Sequence, residues 1–174
     1  KLVPQDPADE PAGVLLQKIR AEKDRLIAEG KIKRDKPLAE IGDEEKPFEL
    51  PPGWEWLRLG STMEMLNGRA FKPSEWMDAG LPIVRIQNLN NPNASFNYCD
   101  PSTVVDKNRI DDGAFLISWS GTPGTSFGAF IWSRGAAALN QHIFKCVLIG
   151  RVFLPEFLRL SINSQLNVLI AQAQ

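Results

Sequence analysis

The sequence has a single histidine, His142, and only two cysteines, Cys99 and Cys146. Two cysteines give no disulfide framework, and their number suits a reducing cytoplasm. A closed zinc site needs four ligands. His142 and Cys146 stand four apart, and the other soft ligand, Cys99, is remote in sequence. There is no excess of either charge. The formal net charge is −1, so bulk attraction to nucleic acid or to an anionic surface is not indicated. No apolar run approaches the roughly 20 residues of a membrane-spanning helix. The chain opens on Lys1 without an initiator methionine and stops at "AQAQ", as expected of a piece of a longer protein.

Apolar residues make up 43% of the chain and charged residues 24%, which argues against wholesale disorder and suits one globular domain with an appendage. Residues 1–50 are dense in charge of both signs, whereas all five tryptophans lie between 54 and 132. This shift divides the chain into an N-terminal helical arm and linker, 1–49, and a compact domain, 50–174.

In the arm, "DEPAGVLLQKIRAEKDRLIAEG" has helical spacing. Leu15, Ile19, Glu22 and Leu26 share one stripe, Asp9 and Pro11 suit the start, and Gly30 the stop. The stripe fits a solvated surface helix or one that docks on a partner. "KIKRDKPLAEIGDEEKPFELPPG" has four prolines and no helical period, and reads as an extended connector.

From Trp54 the pattern is mostly strand-like. "GSTMEMLNG" and "SEWMDAG" suggest short helical turns. "LPIVRIQNL" predicts a strand with Arg85 and Gln87 on one face and Asn88 on the other. "DDGAFLISWSG" predicts a turn into a strand, and "GAFIW", "SRG" and "AAALNQHIFKCVLI" a hairpin. "LPEFLRLSINSQLNVLI" returns to helical period, with Leu158, Ile162, Leu166 and Leu169 on one face. The expected class is α/β (α+β).

Reactive constellations are thin. "SWSGTPG" places serines beside glycines, but the pattern is not G-x-S-x-G. "GTPGTSFG" lacks the lysine of a phosphate-binding loop. "DDG" is ordinary turn chemistry. His142 reads as a structural residue at the start of a strand, and a small hydrolase using a serine and His142 stays as the rival. A protein-docking module without DNA binding is a second rival. More suggestive are three polar clusters: Asn67, Arg69 and Lys72 in "NGRAFK"; Arg85, Gln87, Asn88, Asn90 and Asn91 in "RIQNLNN"; and Ser118, Ser120, Thr122, Thr125 and Ser126 in "SWSGTPGTS". Amide and guanidinium groups read base edges, while hydroxyls and lysine hold phosphates.

Five segments resemble the specificity (S) subunits of type I restriction–modification systems (the HsdS family). They are "KLVPQDPADEPAGVLLQKIRAEKDRLIAEGKIKRDKPL" (1–38), "FELPPGWEWLRLG" (48–60), "GLPIVRIQNLNN" (80–91), "IDDGAFLISWSGTPG" (110–124) and "LNQHIFK" (139–145). The resemblance implies a non-catalytic DNA-specificity subunit. Such subunits hold two target recognition domains separated by long helices, each reading half of a bipartite site in double-stranded DNA. It implies partners: methyltransferase (M) subunits that use S-adenosylmethionine, and restriction (R) subunits that use ATP and magnesium. The chain itself then needs no cofactor. It implies a target recognition domain with a curved, partly barrel-like, mainly antiparallel sheet and short helices. The chain corresponds to an N-terminal fragment with one such domain. On this reading Arg69, Lys72, Arg85, Gln87, Asn88, Asn90 and Asn91 are the candidate DNA contacts, with Ser120, Thr122 and Thr125 on the phosphate backbone.

Overall fold

The computed structural model describes residues 6, 8–34, 36–120, 127–150 and 152–172. Two compact units are formed, one by residues 1–64 with 148–152 and the other by 65–147 with 153–174. Charge density changes near residue 50, but packing carries the first unit on to Glu64, because the apolar segment after Trp54 belongs with the helix.

In the first unit, helix α1 spans Ala12–Ala28. Pro11, rather than Asp9, occupies the N-cap position, and Gly30 ends the helix with φ of 69°. Only glycine adopts that left-handed conformation without steric cost. Ile19 is buried, as the apolar stripe requires. The connector is strapped down by Arg58, which donates to Glu45 Oε1 and Oε2 at 2.6 Å and to the carbonyls of Ala39 and Glu40.

The strands, most of them in the second unit, form two four-stranded sheets. The first has the order β1 (Met63–Asn67), β8 (Ile143–Leu148), β5 (Phe115–Ser118), β6 (Gly128–Ile131). The second has the order β3 (Asn97–Cys99), β2 (Leu81–Val84), β7 (Ala137–Leu139), β4 (Arg109–Ile110). β5 pairs antiparallel with both β6 and β8, while β2 and β7 run parallel. The fold is therefore mixed α/β with mainly antiparallel strands. Instead of one curved sheet there are two, and the described residues form no closed barrel. The main core takes Leu116 and Ile143 from the first sheet and Val84, Ile110, Ala137 and Leu139 from the second, with Trp132 among them. Ile83, Cys99, Val104 and Ala138 form a smaller cluster.

Three expectations fail for identifiable reasons. The strand expected over "LPIVRIQNL" stops at Val84, and Ile86–Asn90 form a short helix, α2. The Asn88 side chain accepts the Arg85 N–H at 3.0 Å, a local bond that competes with strand pairing. The face assignment of Arg85 and Gln87 falls with it. The hairpin expected over 128–149 does not form, since β6 lies in the first sheet and β7 in the second. All three residues of β7 are buried. A strand buried on both faces is suited to the interior of a sheet, here between β2 and β4. Finally, the helical turn expected over 60–68 is a single 3-10 turn, Leu59–Ser61, followed by β1, and the one over 74–80 is only the 3-10 turn Pro73–Glu75. The closing helix is present but divided into α3 (Pro155–Ser164) and α4 (Leu166–Gln172).

Candidate nucleic-acid interface

Gly68 and the turn Pro73–Glu75 organise the first polar cluster. A Cβ on Gly68 would stand 2.2 Å from the Asn140 carbonyl oxygen, so only glycine lets the two backbones approach. The Arg69 N–H then donates to the Leu139 carbonyl at 3.0 Å. Glu75 binds twice: Oε1 accepts from Arg69 Nη1 at 2.6 Å and Oε2 accepts from the Lys72 N–H at 2.8 Å. These two bonds, the Lys72 N–H first, hold the Glu75 carboxyl below the usual carboxylate range. The Arg69 guanidinium also lies 3.8 Å from the Phe71 ring centroid. Arg69 is thus half-buried and ion-paired, while the Lys72 side chain is exposed.

The second cluster surrounds α2. Asn88 is 1% exposed. Its Nδ2 donates to the carbonyls of Ala94 and Ser95 at 3.2 and 3.1 Å, and its Oδ1 takes the Arg85 N–H. Its own carbonyl accepts from Arg134, whose guanidinium lies over the Phe96 and Trp132 rings. Asn88 is therefore a buried organiser of this loop, with its amide committed to the backbone. The two neighbours on the same segment, Gln87 and Asn90, point the other way in exposure, as does Asn91. Asn90 Nδ2 donates to the Ile86 carbonyl at 3.2 Å, and Asn91 Oδ1 accepts the Asn93 N–H at 2.9 Å. Arg85 Nη2 donates to Asn97 Oδ1 at 2.9 Å, and its guanidinium lies 5.8 Å from the Trp76 ring centroid.

One turn therefore gathers two of the candidate arginines. Glu75 binds Arg69, and the next residue, Trp76, flanks Arg85. Sequence reasoning missed Glu75, Trp76 and Asn97. Trp76 carried a signal, since a tryptophan in a polar stretch is a candidate surface aromatic. Asn97 carried none, because its partner is distant in sequence.

In the third cluster Ser120 is half-buried, and Thr122 and Thr125 lie outside the described residues. Ser118 is buried in β5 opposite Ile143. His142 stands just before β8. Its ring packs 5.7 Å from the Trp119 ring centroid, its Nε2 is 3.3 Å from Gln141 Nε2, and its carbonyl accepts the Trp119 N–H. These contacts tie the ring to neighbouring side chains and the backbone to β5. Among the described residues no group of three or more histidine, cysteine or carboxylate side chains is placed to hold a metal, and no helix is long and apolar enough to cross a membrane.

No protein-family model matches the chain. The fold resembles the crystal structure of the HsdS subunit from Thermoanaerobacter tengcongensis, with a TM-score of 0.54 over 90% of this chain and 39% of that one, at 19% identity. A 90-residue stretch, 51% of the chain, is 62% identical to the type I restriction enzyme EcoAI specificity subunit of Escherichia coli. A stretch of 59 residues is 64% identical to the EcoEI specificity subunit of the same organism. These stretches span 15% and 10% of those subunits. Over these stretches the chain is similar to type I restriction enzyme specificity subunits, of whose length it spans only a small part.

Proposed function

We propose that the second unit reads one half of a bipartite target in double-stranded DNA, without catalysing a reaction itself. In this reading it lends its choice of sequence to methyltransferase and restriction subunits in a cytoplasmic restriction–modification complex. S-adenosylmethionine, ATP and magnesium belong to those partners. The observation that carries the reading is the 62% identity to the EcoAI specificity subunit. The exposed amides of Gln87, Asn90 and Asn91 support it, since amides pair with adenine edges. Arg69 and Arg85 are the candidates for guanine, Lys72 and Ser120 for phosphate. Thr122 and Thr125 complete the phosphate set. Asn88 is left out of the contact set, because its amide already serves the backbone.

The near-neutral charge fits weak binding by the chain alone, since phosphate neutralisation supplies much of non-specific affinity. Base choice then depends on the assembled complex. The decisive experiment maps methylated sites in a host carrying the complete system. Exchanging residues 65–174 for the corresponding segment of another specificity subunit is expected to change one half of the methylated motif and leave the other half intact. An unchanged motif would overturn the proposal.

A further inference from the structure

The Arg85 guanidinium is held on two sides, and the groups that hold it come from different elements. Asn97 on β3 accepts from Nη2 at 2.9 Å, and the guanidinium carbon lies over the ring of Trp76, beyond the 3-10 turn, at 5.8 Å from its centroid. Nε is buried without an acceptor, and Nη1 makes no bond to the described residues. The guanidinium has five N–H donors in a rigid fork; with Nε enclosed and one Nη2 proton on Asn97, three remain, two of them on Nη1. Trp76 is 43% exposed, so a large aromatic face stays at the surface beside a charged group. A free arginine side chain loses rotamer entropy when it is fixed. Here that ordering is met in advance by Asn97 and Trp76.

We propose that Asn97 and Trp76 are positioning residues. They aim the Arg85 fork at the two adjacent acceptors of a guanine edge and so fix one G·C pair of the half-site. The inference rests on the reading that Arg85 contacts DNA. Guanine is the base whose O6 and N7 match a guanidinium in the major groove. Asn97 acts through its carbonyl oxygen, and Trp76 by packing against the cation.

The test uses the assembled methyltransferase complex and a set of duplexes in which each base pair of the mapped half-site is replaced in turn. Arg85→Lys keeps the charge and loses the planar fork, and is expected to lower discrimination at one G·C pair about tenfold. Asn97→Ala and Trp76→Leu are expected to lower discrimination at that same pair. Each combined with Arg85→Lys should add little. Asn97→Asp and Trp76→Phe, which keep an acceptor and an aromatic face, should retain it. Loss at that pair in Arg85→Lys but not in Asn97→Ala or Trp76→Leu overturns the inference and leaves the role of Arg85 standing. Unaltered discrimination at every pair in Arg85→Lys overturns that role itself. A uniform fall on all duplexes with a lowered unfolding temperature marks Asn97 and Trp76 as a structural clip and also overturns the inference.

Discussion

Asn163 pairs with the backbone of Ala129 much as a neighbouring strand would. Its Oδ1 accepts the Ala129 N–H at 2.8 Å and its Nδ2 donates to the Ala129 carbonyl at 2.9 Å. β6 is an edge strand of the first sheet, and an open edge leaves backbone donors and acceptors unpaired. One side chain of α3 covers both groups at this point. Asn163→Ala removes two partly buried hydrogen bonds at once, and the expected loss is about 1–3 kcal/mol. Asn163→Asp keeps the acceptor but turns a second oxygen toward the Ala129 carbonyl, so it should also destabilise. Urea denaturation measures both. A midpoint in Asn163→Ala equal to that of the parent chain would sink this account of the edge.

Asn88 separates a structural role from a contact role. Replacing it by alanine strips the Arg85 N–H of its acceptor and the Ala94 and Ser95 carbonyls of their donor, in a fully buried site. A loss of about 2–4 kcal/mol is expected from the unsatisfied groups and the small void together. The same change at exposed Gln87 should leave stability within about 0.5 kcal/mol. If both variants unfold alike, Asn88 is not the organiser of the loop.

Which features the sequence disclosed follows from the range of the forces involved. α1 was legible because its apolar spacing and Gly30 act within a few residues. The turn at Gly113 into β5 was legible for the same reason, with φ of 86° at the glycine. The break after Val84 was not, since a strand pattern and an Asn88 side-chain bond compete for the same backbone. The parallel pairing of β7 with β2 was not, because it joins Ala138 to Ile83 across the length of the domain. At the site, the polar residues of 85–91 stood out as a cluster. That Asn88 turns inward while Gln87 and Asn90 stay exposed is a matter of helical phase, and the expected strand had the wrong period. Asn97 and Glu75 became visible only through their distant partners.

The Glu75 bridge predicts an acid response. Its folded pKa lies below the ordinary value of 4.5, through the Lys72 N–H and then Arg69. A carboxyl depressed in this way contributes stability above the unfolded pKa and loses it as pH falls through the folded one. The turn that carries Trp76 should therefore loosen only below about pH 4.5. Glu75→Gln removes the charge at every pH. Its unfolding midpoint should lie below that of the parent chain near neutrality and approach it in acid. Parallel pH curves for the two proteins would contradict the bridge.

The two thiols are expected to be inert in the folded chain. Both Cys99 and Cys146 are buried. Burial pushes Cys146 up to about 12 and also raises Cys99. The thiolate is the reacting form, and at pH 8 almost none is present at Cys146. A disulfide reagent should label neither site in native buffer and both in denaturant, with native labelling limited by opening of the fold. Rapid stoichiometric labelling of Cys146 without denaturant would show that β8 is less well covered than its packing implies.

Lys72 and Gln87 make opposite predictions for DNA, and the contrast tests the interface as a whole. Lys72 has its N–H fixed by Glu75 and its ammonium exposed, a geometry suited to a phosphate. Lys72→Ala should weaken the assembled complex on every duplex by a similar factor and reduce the salt slope by about one. Gln87 is exposed on α2 and holds a donor and an acceptor that match adenine. Gln87→Ala should cost about 1–3 kcal/mol at a single base pair and leave the salt slope unchanged. Titrations at two salt concentrations against cognate and singly substituted duplexes distinguish the two effects. If Gln87→Ala shifts the salt slope and spares base choice, Gln87 lies on the phosphate backbone, and the recognising face has to be sought elsewhere on the second unit.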